Sequence, residues 1–127
     1  MFEEELVARV RVARQYTHLI ASRLGDLVAT PRIDVANTSV YAQYTIRVAH
    51  RDAVAASLRA SGIPVAVHYP IPLYQQQGLR HLGYAAGDFP VTDRHAGEII
   101  TFPADQHLTG DQIGYVIDTV ERFYAHR

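Results

Sequence analysis

Residues 41–48 read Tyr41-Ala42-Gln43-Tyr44-Thr45-Ile46-Arg47-Val48, and the fold follows from them. The stretch is rich in aromatic and β-branched residues, which predicts a strand. Side chains alternate across a strand, so Ala42, Tyr44, Ile46 and Val48 share one face, and Tyr41, Gln43, Thr45 and Arg47 share the other. A strand apolar on one side belongs to a sheet with one face covered and the other open. A short helix over about 52–61 follows, with Asp52 near its start and Gly62 just past its end. A second strand runs from Pro64 to Tyr69 and stops at the stiff turn Pro70-Ile71-Pro72.

Towards the N-terminus, Leu6, Val10, Ala13, Tyr16, Ile20 and Leu24 recur at three- and four-residue spacing. They predict a helix over about residues 2–24. Glu3, Glu4 and Glu5 open it, arginines follow, and Gly25 ends it, an order that suits the helix dipole. Residues 30–39 read as a loop. Towards the C-terminus, residues 74–97 read as short helices and loops, and Glu98 to Phe102 as a third strand closed by Pro103. Thr109-Gly110-Asp111-Gln112 fits a capping box, and Ile113, Val116, Ile117, Val120 and Phe123 form the stripe of a last helix. The fold class is α/β, an α+β two-layer sandwich: a long N-terminal helix, a small sheet of about three strands with helices on one face, and a C-terminal helix. The other sheet face, carrying Arg47, is expected to be free for a ligand or partner.

Composition excludes several classes of function. The 127 residues carry a net charge near −1, which gives no electrostatic footprint for nucleic acid. There is no cysteine, hence no disulfide, thiolate zinc site or cysteine nucleophile. Neither a signal peptide nor a membrane-spanning stretch is present, so a cytoplasmic protein is expected. Asp105 and His107 stand two apart but lack a third metal ligand, and His95 and Glu98 read as solvated polar residues. All 12 basic residues counted as Lys or Arg are arginine.

The densest unusual segment is Gly62-Ile63-Pro64-Val65-Ala66-Val67-His68-Tyr69-Pro70-Ile71-Pro72-Leu73-Tyr74. His68 and Tyr69 sit where a strand ends in a rigid turn, a good place for ligand contacts. The histidine can bond an anion or hydroxyl; the tyrosine offers a donor and a flat apolar face. The alternative is a satisfied core histidine beside a packing tyrosine. Arg47 can pair bidentately with a carboxylate, or form an ordinary surface ion pair.

This segment resembles the C-terminal small domain of the DegT/DnrJ/StrS sugar aminotransferases, enzymes of the aspartate-aminotransferase fold type. The likeness extends in order through Ser39–Val48, Arg51-Asp52, Gly62–Tyr74, Asp88-Phe89-Pro90-Val91, Ile99–Pro103 and His107–Ile113. Residues 4–24 resemble the long helix leading into that domain. The resemblance implies residues 1–25 as a joining helix and 26–127 as the C-terminal small domain, without the large cofactor-binding domain. Within the family the likeness is greatest to the subgroup aminating UDP-2-acetamido-2-deoxy-3-oxo-glucuronate for bacterial surface polysaccharide.

In that subgroup a His-Tyr pair at this position contacts the sugar, which implies substrate-binding roles for His68 and Tyr69, with Arg47 as a further candidate. Relatives often hold histidine at the position of Tyr74. Glutamate would donate the amine, and pyridoxal phosphate would be held by a lysine of the large domain. This chain has no lysine, so it is expected to bind no cofactor covalently and to be inactive alone. The implied partners are a nucleotide-sugar substrate, the large cofactor-binding domain and the second subunit of a homodimer. The alternative function is a stand-alone or complementing sugar-nucleotide-binding module without catalysis.

Overall fold

The computed structural model describes residues 2–126. Its helices are α1 (Phe2–Arg23), α2 (Arg51–Ala60), α3 (Pro90–Glu98) and α4 (Gly110–Ala125), and its strands are β1 (Val28–Ala29), β2 (Tyr44–Val48) and β3 (Ile99–Phe102). Short 3-10 turns occupy Gly25–Leu27, Leu73–Gln75 and Gln77–Leu82. The strands form one antiparallel sheet in the order β1-β2-β3, with Val28 opposite Val48, Tyr44 opposite Phe102 and Arg47 opposite Ile99.

The alternation expected of β2 is present: Tyr44, Ile46 and Val48 are buried, while Thr45 and Arg47 are half-buried on the other face. Ile100 and Phe102 of β3 lie on the same buried face by register. Against them pack Val12, Tyr16 and Ile20 of α1, Val54 and Leu58 of α2, and Ile113, Ile117 and Val120 of α4, in one core. The ring of Tyr16 stacks on Tyr44 at 5.1 Å and lies 5.5 Å from Phe102. Each phenol finds a partner: Tyr16 donates to the Pro103 carbonyl at 3.0 Å, and Tyr44 shares a 2.8 Å hydrogen bond with Thr17.

Helix ends follow local chemistry. Thr109 and Gln112 close the capping box at the start of α4: each side chain accepts the other residue's backbone N–H. Gly25 and Gly62 follow α1 and α2 with φ of +52° and +75°, the left-handed region where a side chain is strained.

Four expectations are corrected. The strand from Pro64 to Tyr69 is reduced to a single antiparallel bridge, Ala66 to Thr101, with N···O distances of 3.2 and 2.8 Å. Pro64 and Pro70 have no N–H to continue the ladder. The third strand of the sheet is instead β1, two residues long and too short to show alternation. Ala42 lies before the strand and is exposed rather than on the core face, and Glu98 ends α3 rather than beginning β3. The outer sheet face is not free: Arg47 Nε donates to Glu98 Oε2 at 3.0 Å, the Thr45 and Thr101 hydroxyls meet at 2.9 Å, and α3 touches β2.

Candidate functional site

The chain leaves α2 through Gly62, and the Ile63 N–H donates to the Leu58 carbonyl at 3.0 Å. Ile63 is buried and Val65 packs against the core. The bridge at Ala66 then fixes the segment along the outer edge of β3. His68 thus follows the bridge along one edge of β3, and Arg47 pairs with Ile99 on the other edge.

His68 and Tyr69 are exposed, Tyr69 by 72%. Their rings meet edge to face at 5.6 Å. Neither side chain has a hydrogen bond to another described residue, so His68 is not a satisfied core histidine. Arg47 is held by Glu98 in a half-exposed ion pair.

Tyr69 opens onto a cleft of about 230 Å³. Ile71, Pro72, Leu73 and Gln76 form one wall with it, and Thr92 and Ala96 of α3 with Ile99 form the other. The cleft is apolar and small beside the ~300–1,000 Å³ of pockets that enclose whole ligands. It suits one edge of a ligand rather than a whole one.

Behind the cleft lies a hydrogen-bonded knot that the sequence did not reveal. Asp93 Oδ1 accepts from the Tyr74 hydroxyl at 2.5 Å and from Gln75 Nε2 at 2.9 Å, and its Oδ2 accepts from the Gly87 N–H at 2.9 Å. The Tyr74 ring packs on Phe89 at 4.8 Å, and Tyr84 meets Phe89 at 5.1 Å. Desolvation, then the hydrogen bond to Asp93, raise the Tyr74 pKa above its usual value. The hydrogen bonds of Asp93 join residues 6 to 19 apart, through chain that is largely irregular and carries no periodic signal.

The remaining polar candidates have local roles. Asp105 Oδ1 accepts the His107 N–H at 2.8 Å, closing a turn. Among the described residues no group of three or more His, Cys, Asp or Glu is placed to hold a metal. His95 and Glu98 are not simply solvated: Glu98 binds Arg47, and His95 Nε2 is buried with no hydrogen-bond partner among the described residues. No helix among them is long and apolar enough to cross a membrane. A second, larger hollow of about 550 Å³ lies away from this site, between Leu6, Val7 and Val10 of α1 and residues 38–40.

Comparison with known proteins gives the following. The profile described as the DegT/DnrJ/EryC1/StrS aminotransferase family matches residues 1–121. A UDP-2-acetamido-2-deoxy-3-oxo-D-glucuronate aminotransferase of Pseudomonas aeruginosa is 43% identical over 108 residues, covering 85% of this chain and 28% of that protein. A pleiotropic regulatory protein of Geobacillus stearothermophilus is 37% identical over 118 residues, covering 93% of this chain and 32% of that one. The crystal structure of S. venezuelae DesV in complex with a ketimine intermediate superposes with a TM-score of 0.89 at 25% identity, covering 98% of this chain and 33% of that one. The chain thus spans about a third of the length of the relatives it matches.

Proposed function

Since the chain belongs to the DegT/DnrJ/EryC1/StrS aminotransferase family, we propose that it is the small-domain part of a nucleotide-sugar aminotransferase and forms one wall of the sugar site. Residues 1–25 serve as the joining helix and 26–127 as the small domain. The observation that carries this reading is the 43% identity over 108 residues to the Pseudomonas aeruginosa enzyme. It favours a UDP-linked 3-oxo sugar acid as the substrate. The exposed pair His68 and Tyr69 supports the reading with suitable chemistry. The imidazole can hydrogen-bond the sugar's carboxylate, and the phenol can bond a hydroxyl while its face packs on the sugar ring. Arg47 contributes to the same carboxylate only by releasing or sharing Glu98.

The family's enzymes depend on pyridoxal phosphate, which a lysine amine holds as an imine. The present residues do not fit that attachment: there is no lysine among the 127, and a guanidinium does not replace its amine. The cofactor, the lysine and the transfer chemistry therefore belong to protein outside these residues, and this chain alone is inactive in transamination. Mixing the chain with pyridoxal phosphate and dialysing should leave no visible absorbance band; a retained band overturns the assignment. In the assembled enzyme, His68→Ala should raise the sugar KM by about tenfold with cofactor binding unchanged. Equal loss of both would contradict the role of His68.

One feature favours association in either case, as part of one enzyme or as a complementing module. Phe2 and Val7 of α1, with Val35 and Val40 of the following loop, are large apolar side chains left exposed. Co-purification of this chain with a separately expressed cofactor-binding domain of the Pseudomonas aeruginosa relative tests the complementing form; failure to associate removes it.

A further inference from the structure

Asp93 joins three segments that share no regular secondary structure. It stands on α3, beside Thr92 in the wall of the Tyr69 cleft. Through Oδ1 it holds Tyr74 and Gln75, in the turn that carries the opposite wall. Through Oδ2 it holds the Gly87 N–H, in the loop leading into α3. Tyr74 and Gln75 follow Tyr69, Ile71, Pro72 and Leu73 without a break, and Gln76 comes next. The width of the cleft, and the position of Tyr69 at its mouth, are thus set by how far the 70–76 turn stands from α3. Other restraints there are few: the 3-10 turn at Leu73–Gln75 and a 3.3 Å bond from Gln76 to the Ile71 carbonyl are internal to the turn, and the Tyr74 hydroxyl accepts the Gly87 N–H at the long distance of 3.4 Å. The Tyr74 ring, seated on Phe89, is the apolar half of the same attachment.

We propose that Asp93 is a positioning residue for the sugar site: by tying the Tyr74 turn to α3 it fixes Tyr69 and the cleft for substrate binding. It touches no substrate itself. Its two oxygens accept three hydrogen bonds, one of them from the half-buried Tyr74 phenol, so a carboxylate rather than an amide is required. An asparagine would place an N–H donor against another donor on one side. The inference rests on the sugar-site reading above and extends it to the residue that sets the site's geometry.

The test uses the 127-residue chain, isotopically labelled, titrated with UDP-N-acetylglucosaminuronate and followed by two-dimensional NMR. In the free protein, Asp93→Ala should shift the Tyr69 and Ile71 resonances and leave those of Ile46 and Ile100 in place. On titration its Kd should rise by roughly tenfold, and Asp93→Glu, which restores a carboxylate, should recover most of that loss. If Asp93→Ala unfolds, Tyr74→Phe decides the matter, since it keeps the ring on Phe89 and removes only the hydroxyl. Affinity within about twofold of wild type in Tyr74→Phe and in a folded Asp93→Ala overturns the proposal. So does an unmoved Tyr69. Binding lost in His68→Ala but kept in Asp93→Ala sinks this inference alone. Absence of saturable binding in the wild-type chain sinks the sugar-site reading, and this inference with it.

Discussion

Tyr44 is the residue on which the sheet and the long helix meet, and burial has a measurable consequence there. Its phenol is pushed up from 10.0 to about 12, chiefly by desolvation, and Tyr16 beside it is shifted upward as well. Below pH 10 both folded and unfolded chains keep the Tyr44 proton. Between pH 10 and about 12 the unfolded chain loses it first, so stability falls as pH rises through that window. Chemical denaturation at stepped alkaline pH should show this loss, on the order of 2 kcal/mol for Tyr44. Tyr44→Phe should remove its share of the alkaline slope, and cost about 1 kcal/mol at neutral pH for the lost bond to Thr17. An unchanged slope would contradict the burial. Tyr44 and Ile46 as core residues were legible in the sequence because alternation reports a face directly. The salt bridge of Arg47 with Glu98 was not, because it joins residues 51 apart and depends on where α3 ends. Arg47→Gln should change thermal stability by under about 1 kcal/mol, as an exposed pair does. Its effect on sugar binding should be the larger one; a variant that loses stability and keeps full affinity would leave Arg47 a purely structural residue.

At the scale of elements, signals held within a few residues were the readable ones. The capping box at Thr109 and Gln112 lies within one helical turn, and the structure contains it. Thr109→Ala should lower stability by about 1 kcal/mol in a denaturant melt; a change below a few tenths would mean that α4 does not depend on its cap. The segment from Pro64 to Tyr69 reads as a strand by composition. Its prolines and its edge position leave it one bridge, so composition gave the direction of the chain without its pairing. β1 escaped because two residues carry no period. The knot around Asp93 escaped because its members are spread from Tyr74 to Asp93 and held by hydrogen bonds rather than by an apolar stripe. The candidate site was therefore legible as residues, His68 and Tyr69, and not as a shape: the opposing wall on α3 emerges only when the chain is folded.

At the scale of the whole molecule, one core formed by α1, α2, α4 and the sheet accounts for the fold, and two features point beyond the chain. One is the exposed apolar set Phe2, Val7, Val35 and Val40. The other is a family whose chemistry needs a lysine, in a chain where arginine supplies every such cation. Together with an alignment to only about a third of each relative, they support the division of labour proposed above, with sugar binding here and cofactor and transfer elsewhere. The most direct test is an NMR titration of the wild-type chain with UDP-N-acetylglucosaminuronate. Saturable shifts centred on His68, Tyr69 and the cleft lined by Ile99 are expected, with affinity about tenfold weaker in His68→Ala. Saturable shifts confined to the opposite side of the sheet, or none at all, would contradict the sugar-site reading.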